Sequence, residues 1–266
     1  MLLETHLKQL KEASWVDDST LEHLIIYHSY QISQWWPLVK DKFDWKRYSR
    51  LLCDRCNKWF HIWWDADKFN YEVDSRTLCI RCPDEFDKWW NPSKFDWEGA
   101  TDRLFLIPDK FDTWFPELLK RPSKYRAHIN HLAQHFPERF DEWWRPDLIT
   151  PATHIGISFF VNLKHKFKEW WKPECILPST TLLELLVEDY PEYIDDWLEI
   201  FMERLDIKDI ISVLDGKVPR EKWLSCVLEH EDLPDFVRIL LKNMTTEDLE
   251  RYKLSTLLNQ SSSDPS

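Results

Sequence analysis

Apolar positions recur along this chain in an order that repeats at a nearly constant interval. Each repeat is marked by a Trp followed by a bulky apolar residue, and the sequence intervals between successive markers are 28, 26, 25, 29, 27, 27 and 26. We number each repeat from the first residue of its pair, which is position zero. The eight pairs are Trp35-Trp36, Trp63-Trp64, Trp89-Trp90, Trp114-Phe115, Trp143-Trp144, Trp170-Trp171, Trp197-Leu198 and Trp223-Leu224.

Within each repeat, the apolar spacing predicts two short helices. Positions −10 and −7 are apolar at a spacing of i and i+3, and positions −3, 0 and +1 continue this helical spacing. A Pro at position −6 suits the first turn of the second helix, and a Pro two or three residues after position zero is expected to end it. These prolines are Pro83, Pro108, Pro137 and Pro191 before the pair, and Pro37, Pro92, Pro116, Pro146 and Pro173 after it.

A two-helix hairpin this short cannot bury its apolar face alone, so successive hairpins are expected to stack. We therefore predict an all-α solenoid of about eight short two-helix repeats, with a period of 25–29. The domains would be an N-terminal helical cap at 1–30, a Trp-rich repeat array at 31–200, an acidic C-terminal helical cap at 201–258 and a disordered tail at 259–266. The C-terminal cap is expected to contain helices at 205–214 and 233–242.

The composition supports an all-helical chain with a large apolar core. The 266 residues include 3 Gly and 17 Trp, and so few glycines argue against phosphate-cradling loops and a turn-rich β protein. Uniform apolarity at the paired positions favours core packing over a stacking platform for bases or sugars. We expect no membrane span, no secretion signal and no disulfide scaffold, and hence a cytoplasmic protein.

The charge of the chain is unevenly distributed. Its net charge is −12, and residues 174–251 hold 20 acidic residues against 8 basic ones. Residues 40–68 hold eight basic residues against five acidic ones. A nucleic-acid-related role is therefore one alternative, either by DNA mimicry through the acidic C-terminal third or by binding through the basic N-terminal part.

A second motif follows the pair in the first three repeats. It reads Lys-Phe-Asp-Trp at 42–45, Lys-Phe-Asn-Tyr at 68–71 and Lys-Phe-Asp-Trp at 94–97, at equal intervals along the chain. Because its aromatic residues lie outside the pairs, we expect them to be exposed and to contact a partner. The candidate partner-binding residues are Trp45, Tyr71, Trp97, Lys42, Lys68 and Lys94.

The run CPDEFDKWWNPSKFDW at 82–97 carries a family resemblance. It resembles the tryptophan-rich tandem repeats of uncharacterised phage and bacterial proteins. The resemblance covers about 40–175, and later repeats depart from it where Leu replaces the second Trp. It implies a helical repeat protein, transfers no catalytic residue, and suggests a phage-encoded inhibitor of a host defence protein.

Four cysteines form the sharpest candidate for a metal site. The pairs Cys53-x-x-Cys56 and Cys79-x-x-Cys82 have the spacing of a four-cysteine zinc site. They also fall at positions −10 and −7, where other repeats carry apolar residues, so each is equally a small buried hydrophobe. We predict no metal and keep a zinc-stabilised adaptor as an alternative.

Three histidines of one predicted helix form a weaker candidate. His128, His131 and His135 lie at i, i+3 and i+7, away from the apolar face of that helix. They could form the edge of a metal site, but a solvated polar flank is the expectation.

No sequence motif indicates catalysis. The chain has no glycine-rich phosphate loop, no His-Glu-x-x-His pattern and no nucleophile elbow. We therefore predict a non-enzymatic scaffold that needs no cofactor and binds another protein. Its oligomeric state does not follow from the sequence.

Overall fold

A computed structural model describes residues 16–215 and 217–229, together with residues 4, 7, 8, 10, 11, 235, 238 and 239. This part of the chain contains helices and no strand. The α-helices within it are α1 (Asp18–Tyr27), α2 (Ile32–Val39), α3 (Trp45–Cys56), α4 (Phe60–Trp63), α5 (Tyr71–Arg81), α6 (Phe86–Trp89), α7 (Phe111–Leu119), α8 (Pro122–Ala127), α9 (Ile129–His135), α10 (Phe140–Trp143), α11 (Ile157–Asn162), α12 (Phe167–Trp170), α13 (Thr180–Asp189), α14 (Ile194–Met202), α15 (Ile207–Leu214) and α16 (Leu224–Glu229).

Each repeat has a first helix, a 3-10 turn and a second helix, in that order. In the third repeat these are α5, the turn Pro83–Glu85 and α6. The fourth repeat replaces its first α-helix by a 3-10 segment, Thr101–Leu106. The predicted pairs of short helices are therefore confirmed, with a 3-10 turn between them.

Proline at position −6 begins the 3-10 turn rather than the second α-helix. Pro83, Pro108 and Pro137 each occupy the first residue of such a turn. The missing N–H costs nothing there, because the first residues of a helical turn have no intrahelical acceptor. The α-helix then starts three residues later, at position −3.

The prediction that the later Pro ends the second helix is wrong in two repeats. Pro37 lies inside α2 and Pro116 lies inside α7. In the second repeat, α4 ends at Trp63 although no Pro follows the pair, because Trp64 adopts an extended conformation with φ −62° and ψ 129°. The end of the second helix is therefore set by the backbone at position +1, with or without proline.

The Trp at position zero is buried in every repeat, which confirms it as core. All eight are at most 1% exposed: Trp35, Trp63, Trp89, Trp114, Trp143, Trp170, Trp197 and Trp223. In seven repeats the indole N–H donates a hydrogen bond to the backbone carbonyl seven residues earlier, as from Trp89 to Cys82 at 2.8 Å. That carbonyl belongs to the residue immediately before the 3-10 turn, so the indole joins the two helices of one repeat.

The described chain forms two compact lobes, Met1–His135 (lobe 1) and Phe136–Ser266 (lobe 2). The boundary falls inside the fifth repeat, between α9 and the turn Pro137–Arg139. Within lobe 2, α13 packs against α14 and α15. The predicted helix at 205–214 is present as α15, whereas most of 233–242 and all of the tail at 259–266 lie outside the described residues.

Within lobe 1, the first helices of successive repeats pack side by side. Helix α1 contacts α3, α3 contacts α5, α5 contacts the segment Thr101–Leu106, and that segment contacts α9. The pairs Arg47–Asp18 and Arg81–Asp54 join neighbouring helices near their N-terminal and C-terminal ends respectively, so α1, α3 and α5 run parallel.

A buried hydroxyl bridges neighbouring repeats of lobe 1. The Ser75 hydroxyl donates to the carbonyl of Tyr71 at 2.6 Å and accepts the backbone N–H of Asp96, in the next repeat, at 3.1 Å. Ser49 makes the equivalent bonds to Trp45 and Asn70. Each bridge satisfies a backbone N–H that precedes the first helical segment of the next repeat.

Candidate binding surface

The second motif forms an aromatic trio with the residue at position +1. In the third repeat, Trp90, Phe95 and Trp97 contact one another with ring centroids 5.1–5.9 Å apart. The first and second repeats show the same geometry, with centroid distances of 5.0–6.1 Å. Edge-to-face rings at these distances are typical of aromatic cores.

The expectation that the motif's aromatic residues are exposed is therefore wrong for two of them. Trp45 is 9% exposed and Tyr71 is 4% exposed, because each closes a trio. Trp97 is half-buried; its indole donates to the carbonyl of Pro92 at 2.9 Å, and the Arg121 guanidinium lies 4.0 Å from its ring centroid. Trp45 and Tyr71 therefore serve the core, and their partner-binding role lacks the exposure on which it rested.

The three lysines of the motif do lie on the surface. Lys42 and Lys68 are exposed, and Lys68 pairs with Asp65 at 3.6 Å. Lys94 pairs with Asp67 of the preceding repeat at 3.1 Å and donates to the carbonyl of Ala66. Their role in binding a partner stays a prediction.

The four repeat cysteines are core residues in the structure. Cys53, Cys56, Cys79 and Cys82 are free thiols, each at most 3% exposed. Burial raises the pKa of the Cys56 thiol to about 12 and also raises the pKa values of the Cys53 and Cys79 thiols. Among the described residues, no three His, Cys, Asp or Glu side chains form a group that could hold a metal ion. We therefore do not carry the zinc alternative further.

The histidines of α9 do not form a simple solvated flank. His128 and His131 are half-buried, His135 is exposed, and all three rings contact Phe105 of the preceding repeat. Burial is the main cause that lowers the pKa values of His128 and His135, and the neighbouring charge of His131 lowers both further. The helical spacing predicted that the histidines lie close together. It did not predict their contact with Phe105, which lies in another element.

The acidic helices of lobe 2 present their carboxylates to solvent. Glu184, Glu188 and Asp189 of α13 are exposed, and so are Glu192, Asp195 and Glu199 around α14. Lysines form ion pairs with two of these carboxylates. Lys217 pairs with Glu188 at 2.9 Å, and Lys164 pairs with Asp189 at 3.6 Å. These ion pairs neutralise part of the charge of the described acidic helices, and the mimicry alternative stays a prediction.

The first helices of lobe 1 carry a set of residues at equivalent surface positions, which we call the first-helix face. It consists of the residues at positions −16, −13 and −9 of α1, α3 and α5 (Ser19, Glu22, Ile26, Arg47, Arg50, Asp54, Val73, Arg76 and Ile80). On α5, Val73 is 66% and Ile80 43% exposed, and on α1, Ile26 is 36% exposed. On α3, between them, the same positions are all charged.

Two of the five charged residues of the first-helix face pair with a neighbouring helix. Arg47 pairs with Asp18, and the Asp54 carboxylate accepts from Arg81 at 2.8 Å. Arg76 has no ion pair within the described part of the chain, and Arg50 is 74% exposed with its nearest carboxylate 4.0 Å away. Arginine is one of the residue types enriched in protein–protein interfaces, and here it lies beside exposed aliphatic side chains.

The equivalent positions of lobe 2 show the same mixture of apolar and charged residues. On α11, Ile157 is 53% and Val161 64% exposed, at positions −13 and −9. On α13 the same positions carry Glu184 and Glu188. Sequence reasoning missed this row because it followed the buried positions −10 and −7; the signal is the apolar residue at −9 in Ile26, Ile80 and Val161.

A buried carboxylate lies directly under the first-helix face. Asp74 of α5 is 3% exposed, and this burial raises its pKa to about 6. The positive charge of Arg50 opposes the rise, and the negative charge of Asp54 adds to it. The face and the α3–α5 contact below it are therefore coupled electrostatically.

Comparisons with known proteins add no relative. Within the described residues, no helix is long and apolar enough to cross a membrane. The chain matches no protein-family model, no curated protein and no solved structure.

Proposed function

We propose that this chain is a non-enzymatic helical-repeat scaffold that binds another protein through the first-helix face. In this proposal the stacking seen among the first helices of lobe 1 extends through the repeat array as a solenoid. Side-by-side helix contacts, hydroxyl bridges such as that of Ser75 and ion pairs one repeat apart support such stacking.

The observation that carries the proposal is the exposure of Val73 and Ile80 beside Arg76. The interior of the first three repeats is filled by aromatic trios and buried Trp, so these aliphatic side chains are not needed for the core. Aliphatic side chains exposed on one face of a well-packed array lose water only when another surface covers them. The resemblance of 40–175 to phage repeats makes a bacterial defence protein the specific partner that we propose.

The test is affinity capture from a bacterial lysate with matched variants. We expect the double substitution Val73→Glu and Ile80→Glu to abolish capture of a stoichiometric protein partner, because two carboxylates replace the apolar contact. Leu177→Glu, at a residue 62% exposed but outside the first helices, should leave capture unchanged. Circular dichroism of all variants is the control that checks whether each one is folded.

Two outcomes would contradict this function. Capture that survives Val73→Glu with Ile80→Glu would remove the first-helix face from the interaction. Capture that disappears on nuclease treatment, or that weakens steeply as salt rises, would make nucleic acid the ligand.

A further inference from the structure

In lobe 1, the rings of His128, His131 and His135 all contact the buried phenyl ring of Phe105. Phe105, 3% exposed, has its ring centroid 5.3 Å from His131 and 5.9 Å from both His128 and His135. The His128 and His131 rings are 5.6 Å apart, and those of His131 and His135 are 6.2 Å apart. We call these four residues the histidine cluster.

The cluster forms the contact between two neighbouring repeats. Phe105 belongs to the 3-10 segment Thr101–Leu106, and the histidines belong to α9 and the residue before it, with α9 packing against that segment and against α8. Position −9 is exposed in several other repeats, but Phe105 at this position is covered by the imidazole rings. The imidazole rings therefore bury Phe105, a role that aliphatic side chains usually have in a helix contact.

The charged groups around the cluster are mainly positive. The segment Thr101–Leu106 contributes Asp102 and Arg103, which lie 3.2 Å apart as an ion pair. Helix α8 contributes Lys124, paired with Glu98, and Arg126; α9 itself contributes no carboxylate. Asp102 is thus the one acidic residue that these three elements bring to the histidines.

We propose that protonation of the histidine cluster releases α9 from the segment Thr101–Leu106, so that this contact acts as a pH-sensitive switch. Neutral imidazole rings stack on Phe105 as aromatic rings do. One imidazolium over Phe105 gains a cation–π contact, but three of them share one ring, repel one another and require water. The switch needs no partner and is independent of the first-helix face.

The direction of the effect follows from the pKa values of the histidines. Burial and the neighbouring His131 lower the pKa values of His128 and His135, so the folded contact holds their protons less tightly than the released one. Its stability is therefore complete above the ordinary histidine pKa of about 6.5, and it is lost as pH falls through the lower folded values.

Hydrogen exchange of the full chain tests the switch. Between pH 7.5 and 5.5, after correction for intrinsic exchange, we expect the amides of 129–135 to lose protection by roughly fivefold or more, within the usual range of coupling between two states. Protection of α3 should not fall, because protonation of Asp74 stabilises its contact with α5. The triple substitution His128→Gln, His131→Gln and His135→Gln should abolish the loss, because glutamine stays neutral.

Further variants keep the proposal falsifiable. If the triple variant does not fold, His131→Gln alone should make the loss of protection smaller, because the charge of His131 lowers the pKa values of both other histidines. Asp74→Asn should leave the loss intact, since Asp74 lies at the contact of α3 with α5 and not at the histidine cluster. An unchanged α9 at pH 5.5, an equal loss in the glutamine variants, or a loss that Asp74→Asn removes would each overturn the switch.

Discussion

The Trp at position zero combines volume with one hydrogen-bond donor. Positions −3 and +1 accept Phe, Ile or Leu in some repeats, whereas position zero is Trp in all eight. The difference is explained by the indole N–H, because the carbonyl at position −7 accepts both this bond and a bond from the 3-10 turn, as Cys82 does from Trp89 and Glu85. Phe or Leu would fill the space and leave this buried carbonyl with one partner fewer.

Trp89→Phe is therefore expected to lower the free energy of unfolding by about 2–3 kcal/mol, through the lost hydrogen bond and the smaller ring. Trp90→Phe is the matched control, because Phe115 occupies the equivalent position of the fourth repeat. We expect it to cost less than about 1 kcal/mol. Urea denaturation measures both, and equal losses would show that the indole N–H contributes nothing.

Asp74 is a residue whose charge destabilises the fold. Because its folded pKa, about 6, is raised above the ordinary value, the folded state binds the proton more tightly, and stability falls as pH rises from about 4 to 6. Asp74→Asn should raise the free energy of unfolding at pH 7.5 by about 1–3 kcal/mol and remove that slope. Glu72→Gln, an exposed change on the same helix, should do neither. A variant no more stable than the wild type would show that Asp74 is well solvated.

At the scale of elements, neighbouring repeats are joined by side-chain hydroxyls that form hydrogen bonds to a backbone group of each repeat. Ser49, Ser75 and Thr101 are equally spaced along the chain, one in each of three successive repeats, and each donates to the carbonyl four residues earlier. For Ser49 and Ser75 the same oxygen accepts an N–H from the next repeat. This arrangement fixes the axial register of one helix against the next.

Ser75→Ala tests that bridge. The N–H of Asp96 then loses its partner, and we expect a cost of about 1–2 kcal/mol together with faster hydrogen exchange of the Asp96 amide. Ser33→Ala, at an exposed helical serine, should change stability by less than about 0.5 kcal/mol. If both variants behave alike, packing alone sets the register.

At the scale of the whole molecule, the apolar spacing was sufficient to predict an all-helical chain with paired short helices. It also identified the Trp of position zero as core. The apolar spacing failed where two neighbouring positions are equally apolar, since nothing local distinguishes the exposed Ile80 from the buried Cys79. Nor does the spacing show that Trp45 closes an aromatic trio. The division at 135/136 was also invisible, because the repeat pattern runs through it without interruption.

Protons act on lobe 1 in two opposite directions. Protonation of Asp74 favours the folded state, whereas protonation of His128 and His135 opposes it. The carboxyl of Asp74 lies between α3 and α5, whereas the histidines lie between α9 and the segment Thr101–Leu106. The overall stability of lobe 1 can therefore change little with pH while its local contacts change considerably, which makes site-resolved measurements more informative than a melting temperature.

The hydrogen bond of each position-zero Trp closes within its own repeat, a short distance back along the chain. A gene that duplicates or deletes one whole period therefore copies or removes a donor together with its acceptor. The hydroxyl bridges recur at the same interval as the repeats, so the new neighbours would meet with complementary atoms. The number of repeats is thus a quantity that recombination can change in single steps, and homologous chains of different length are an expected product of this architecture.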